Sequence, residues 1–287
     1  RIPPMDEASR AALGFSSQIM YDRDEVPSFS REDAARFPRA DAYTSIKGIT
    51  TFGGNNYRNS FAYGTLPTAP ETLSRLWEKD TGTLEGWTGT GWTGMPLIVE
   101  WADDVRPLLG VHDEFKGKAG FTEVIYPALD GRVYFYELIS GRETRAPLDL
   151  GVVMKGTATL DPRGYPLLYL GQGTLSKNAE GKEGAWFRVI SLIDNAELWS
   201  FGGRDPFSLR AWQAYDSSAL LSSNADTLFV AGENGVLYSV KLNAVFDKAV
   251  GTVSIDPGPL AKYRYTATGY SEAETARWWG VESSLTA

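Results

Sequence analysis

The chain has 287 residues, a net charge of -8, 43% hydrophobic and 13% aromatic residues, and no cysteine. That apolar share excludes a disordered chain, and the acidic balance without any Lys/Arg-rich run excludes a nucleic-acid phosphate backbone as partner. The lack of cysteine excludes disulfides, thiolate-ligated metals, iron–sulfur clusters and a thiol nucleophile.

Thirty glycines and fifteen prolines require many turns, as an all-β protein of short strands does. No apolar run approaches the ~18–20 residues of a membrane helix. The sequence opens on Arg1, so an export signal or anchor upstream of it is an expectation.

Residues 1–45 form the first segment. They are charged, carry the helix-prone stretches Met5–Leu13 and Arg31–Phe37, and lack strand alternation. They read as a linker or surface arm, with docking on a partner as the other use. From about Thr44 the chain turns to short β-branched and aromatic runs broken by Gly, Asp and Asn, and residues 46–287 read as one β domain.

Two hairpins stand out. Glu123–Leu138 turns at Asp130-Gly131, and Thr227–Leu242 turns at Asn234-Gly235, because glycine accepts a positive φ there. A third pairs Pro166–Leu170 with Trp186–Ile193 across the polar loop Gly171–Gly184. Each hairpin follows a strand of small residues: Thr93–Leu97, Lys155–Thr159 and Asp216–Leu220, with a fourth such strand at Glu282–Thr286. A repeat of about sixty residues holding four strands is the pattern of propeller blades, whose innermost strands leave no room near the axis for bulk. Outer strands are expected at Thr144–Gly151, Glu197–Gly202 and Gly251–Asp256, with Trp199 and Trp77 packing between neighbouring units.

These units resemble the PQQ-like repeat. Asp130-Gly131-Arg132-Val133-Tyr134 with Ser140-Gly141, and Glu233-Asn234-Gly235-Val236-Leu237-Tyr238, carry the likeness. Thr51-Phe52-Gly53-Gly54-Asn55-Asn56-Tyr57-Arg58 is similar to a segment that opens many propellers of that family. The resemblance spans Thr44–Ala287. It implies a bacterial, extracytoplasmic or cell-surface propeller of which about three and a half blades are present, a partial ring. The remaining blades would come from a longer chain or a second copy.

Several chemistries compete. The quinoprotein members of the family hold pyrroloquinoline quinone and calcium, but this chain has no adjacent cysteines and no alignable calcium ligands, so PQQ is disfavoured and no cofactor is expected. Gly89–Gly94 matches GxGxxG by letter, yet a strand follows it where a dinucleotide site needs a helix. His112, the only histidine, and the adjacent Asp113-Glu114 read as solvated loop residues, with no catalytic or metal role.

Trp87 and Trp92 could stack on a sugar or a partner, interblade packing being their plainer use. The repeat-start residues Thr93, Lys155, Asp216 and Glu282 would form a polar ring at one mouth of the axis, able to orient a small ligand or an ion. A hydrated, self-paired ring is the plainer alternative. The expected function is therefore a non-enzymatic scaffold binding a protein, peptide or ligand. A glycan-binding or glycan-processing propeller and a PQQ-dependent dehydrogenase are the alternatives.

Overall fold

The structure is a computed structural model, and it describes residues 14–91, 94–178, 180–267, 269–271, 273–274, 277 and 280–287. It is nearly all β, in three larger antiparallel sheets and two small ribbons. Among the described residues no helix is long and apolar enough to cross a membrane.

The first sheet runs in the order Lys47–Ile49, Leu97–Glu100, Thr122–Pro127, Arg132–Glu137, Leu148–Asp149. Its central hairpin pairs Tyr126 with Tyr134 and Glu123 with Glu137, as the Asp130-Gly131 turn requires. The second sheet places Thr159–Leu160, Leu167–Gly171 and Glu183–Ser191 side by side, with Glu197–Gly203 on the outer flank. Ser176–Lys177, inside the expected loop, is a short strand against Glu183–Gly184. The third sheet continues Leu220–Ser222, Thr227–Ala231 and Leu237–Lys241 with Ala261–Ala267, Phe15–Tyr21 and Asp24–Val26.

Period-two alternation explains how the sheets stack. In the second sheet Leu168, Leu170 and Ile190 join a core with Leu97, Val99, Ile125 and Phe135 of the first. The alternate residues Leu167, Tyr169, Phe187 and Val189 join a second core with Leu228, Val230, Tyr238 and Val240 of the third. The middle sheet is thus buried on both faces, and each flanking sheet has an outer face to cover.

A buried ion pair and a partly buried one stitch the same interfaces. Arg145, 1% exposed, pairs with the fully buried Glu123 and donates to the Leu192 carbonyl at 2.7 Å. Trp101 Nε1 donates to Glu123 at 2.9 Å. Arg163 bridges Asp161 and Asp226, each at 2.6 Å, joining the second sheet to the third.

Residues 1–45 differ from the expectation. Phe15–Tyr21 pairs in full register with Ala261–Ala267, Phe15 opposite Ala267 and Tyr21 opposite Ala261. Arg31–Phe37 is not helical; it lies on the outer side of the third sheet. There Arg31 donates to the Ser239 carbonyl at 2.9 Å and Phe37 meets Phe229 at 6.0 Å. Hydrogen bonds to the third sheet, from Arg31 to Ser239 and from the Arg36 N–H to Ser222 and Asn224, supersede local helix propensity here. Met5–Leu13 lies outside the described residues.

The expected outer strand Gly251–Asp256 is instead a ribbon, Thr252–Ser254 on Val245–Asp247, and Ala261–Ala267 takes the outer place. Trp77 does not pack between units. It closes the outer face of the first sheet against Val124, Ala128, Tyr134 and Tyr136, donating to the Leu138 carbonyl at 2.8 Å. Trp199 packs on the second core and sits 5.0 Å from the Phe201 ring. Asp113–Lys116, expected as loop, is one helical turn that starts just after His112.

Replacing Arg145 by Met leaves Glu123 as an uncompensated buried charge. Urea unfolding is expected to show a loss of ~3–5 kcal/mol, partly restored when Glu123 is also replaced by Gln, whose amide oxygen still accepts from Trp101.

Candidate functional site

The site grows from how one repeat is tied to the next. The residue before each of the repeat starts Lys155, Asp216 and Glu282 donates its backbone N–H to the hairpin tip of the preceding repeat: Met154 to Ala128 at 3.3 Å, Tyr215 to Gln172 at 2.9 Å, Val281 to Gly232 at 3.2 Å. Two residues beyond each repeat start, the chain bonds laterally although these residues precede the strands themselves, and Glu282–Thr286, expected as a strand, is not one. Met95 N donates to Thr157 Oγ1 at 2.8 Å, Ser218 Oγ to the Thr157 carbonyl at 2.7 Å, and Ser218 N to Ser284 Oγ at 3.0 Å. Backbones approach so closely here that a Cβ on Gly156 would stand 2.2 Å from the Asp216 carbonyl oxygen. Arg58, buried among these strands, donates to the carbonyls of Ala219 at 3.0 Å and Leu285 at 2.8 Å. That is a structural use for the Thr51–Arg58 segment.

Equivalent registers bring the repeat-start side chains together. Lys155 Nζ lies 3.5 Å from Asp216 Oδ2 and 3.9 Å from Glu233 Oε1, and all three residues are buried. Glu282, exposed, contributes negative charge to both carboxyls. The Lys155 ammonium stands 6.0 Å from the Trp87 ring centre and 5.4 Å from that of Trp212, at distances where aromatic faces attract cations. Its stem passes Gly173, where a Cβ would come within 2.6 Å of Lys155 Cγ.

Burial raises the Asp216 carboxyl above the usual range, Lys155 opposing and Glu282 reinforcing. Burial first and the Asp216 charge second push Glu233 up to about 8. At neutral pH the cluster therefore holds a proton on one carboxyl, because two adjacent carboxylates with one ammonium between them do not both ionise cheaply. Asp216 Oδ1 is buried and makes no hydrogen bond among the described residues.

Of the expected ring, Lys155, Asp216 and Glu282 meet, and Trp87 joins them from a short ribbon with Leu84. Thr93 and Trp92 lie outside the described residues. Glu233 and Trp212 belong to the site and were not singled out. Glu233 occupies the hairpin-tip place that Leu129 holds in the first repeat: both donate their N–H to a strand leading into a repeat start, Leu129 to Gly89 and Glu233 to Ala214. An acid where a sister repeat carries leucine was the available signal. His112 lies away from the cluster, its N–H donating to the Thr144 carbonyl at 2.7 Å. Among the described residues no three His, Asp or Glu side chains are placed to hold a metal ion.

A groove also lies on the outer face of the first sheet. This groove of about 430 Å³ is walled by Trp77, Pro96, Val124, Tyr126, Tyr134 and Tyr136.

No protein-family model and no curated protein matches the chain. Among solved structures, the β-propeller domain of Cps50 (Swd1) from Myceliophteria thermophila is similar at 10% identity and a TM-score of 0.25, over 66% of this chain and 74% of that one.

The raised Glu233 carboxyl sets a pH dependence. The folded state binds this proton more tightly than the unfolded chain, so the contribution is whole below about pH 4.5 and is lost as pH rises through about 8. Urea unfolding at pH 5, 7 and 8.5 is expected to show Glu233→Gln gaining stability relative to the parent across that window. A constant difference between the two would contradict the assignment.

Proposed function

We propose that this chain is a non-enzymatic β-propeller scaffold of PQQ-like blades, extracytoplasmic, binding a protein or peptide at the mouth where the repeat starts meet. The observation that supports it is the repeated tie between successive units. The same backbone donor precedes Lys155, Asp216 and Glu282, and the same lateral bonds follow two residues later. Propeller blades place their inner strands in this relation, and an axial mouth is where such a scaffold presents convergent polar groups.

The chemistry of the cluster favours binding over turnover. A sugar-hydrolysing pair of carboxyls stands ~5 Å or more apart with substrate between them. Asp216 and Glu233 instead share one ammonium and influence each other's proton directly. No group in the cluster is an activated nucleophile with a base beside it.

Glycan binding is a second reading, favoured by the aromatic groove of the first sheet, since Trp and Tyr faces offer platforms for sugar rings.

Screening a peptide library on immobilised protein tests the first reading. Binders are expected whose affinity drops at least tenfold in Asp216→Asn, with an unchanged circular dichroism spectrum. Glycan-array signals abolished by Tyr126→Ala, with no peptide binder, would favour the second reading. Pyrroloquinoline quinone with calcium is expected to leave the melting temperature unmoved, and a saturable rise would revive the dehydrogenase alternative.

A further inference from the structure

The mouth carries more negative charge than it neutralises. Asp216, Glu233 and Glu282 face it from the third and fourth repeats, against the single ammonium of Lys155 from the second. Arg210, the other cation beside Glu233, is committed to the Glu233 carbonyl oxygen at 2.6 Å. One acceptor remains unused: Asp216 Oδ1, on a residue only 4% exposed, makes no hydrogen bond among the described residues.

The cluster also has an open side. Trp212 is 36% exposed, Trp87 is half-buried and Glu282 is exposed, so a group arriving from solvent meets two indole rings and a carboxylate before the buried acids. Electron-rich ring faces and spare carboxylate oxygens select one sign of charge. An incoming anion would have to lie against three carboxyl groups to reach Lys155.

We propose that the mouth formed by Asp216, Glu233 and Glu282 beside Trp87 and Trp212 receives one organic cation, the guanidinium or ammonium group of a basic side chain on the partner peptide. This rests on the binding-scaffold reading and specifies its ligand. The cation takes the place of the proton that Glu233 holds in the free protein. Glu233 gives up that proton to solvent, both buried acids are then ionised, and the ligand's N–H groups donate to Asp216 Oδ1 and the Glu233 carboxylate. Binding therefore releases a proton below about pH 8. A guanidinium stays charged throughout this range, so the pH response belongs to the protein.

The test uses three capped tripeptides, N-acetyl-Gly-X-Gly-amide with X as arginine, citrulline or glutamate, titrated calorimetrically against the full chain. The arginine peptide is expected to bind at least tenfold more tightly than its neutral isostere citrulline and than the glutamate peptide. Its affinity should rise about tenfold per unit from pH 6 to near 8 and level off above, since one proton is displaced. Glu233→Gln, which keeps the shape and should fold, is expected to flatten that slope, and Asp216→Asn to weaken binding at least tenfold. Equal affinity for arginine and citrulline, or an unchanged slope in Glu233→Gln, would overturn the cation assignment. If none of the three binds, while library peptides still bind and still depend on Asp216, this inference falls and the scaffold reading stands. If library peptides also fail to bind, the scaffold reading has failed first.

Discussion

One backbone hydrogen bond, found three times among the described residues, organises this molecule. The N–H ahead of each repeat start reaches the carbonyl at the previous hairpin tip, from Met154, Tyr215 and Val281 in turn. It fixes where each new unit begins relative to the last, and the side chain that follows is Lys155, Asp216 or Glu282. The register that joins the sheets is therefore also the register that gathers the charges. A unit could not slip by one residue without sending its inner-strand side chains to the opposite face and breaking the lateral bonds at Thr157 and Ser218.

Small residues follow from the same constraint. Segments brought this close favour Gly, Ser, Thr and Ala over bulkier side chains, and Gly91 and Gly156 mark two of the tight approaches. Farther along the strands the sheets diverge enough for Tyr169, Phe187 and Tyr238 to fill the second core. Stacked sheets then leave two outer faces. Residues 29–37 cover one with Phe29, Arg31 and Phe37, and Trp77 covers the other less completely, leaving the aromatic groove. Hydrophobic faces demand such covers, and extended segments supply them without adding a full sheet.

Much of this was legible in the sequence where the signal was local. The Asp130-Gly131 and Asn234-Gly235 turns announced their hairpins, and the spaced small-residue strands placed Lys155, Asp216 and Glu282 at equivalent positions. What escaped depended on distant partners. Phe15–Tyr21, with two consecutive serines, lacks clean alternation and becomes a strand because Ala261–Ala267 lies open beside it. Gly251–Asp256 has strand-like composition but closes on Val245–Asp247. Glu233 resembled an ordinary turn residue. Only its place at the tip, packed against the next repeat start, makes it part of a charged cluster.

The cluster is the point where fold and proposed binding meet, since burial and the adjacent Asp216 raise the Glu233 carboxyl at the place where Lys155 of the preceding repeat also reaches it. A titration of the side-chain carboxyl carbons of ¹³C-labelled protein, followed by NMR from pH 4 to 9, tests this directly. One carboxyl that stays protonated at pH 7, titrates near 8 and disappears in Glu233→Gln is the predicted result. If every Asp and Glu instead titrates below about pH 5, as ordinary solvated carboxyls do, Glu233 is not buried against Asp216 as described and the central claim is contradicted.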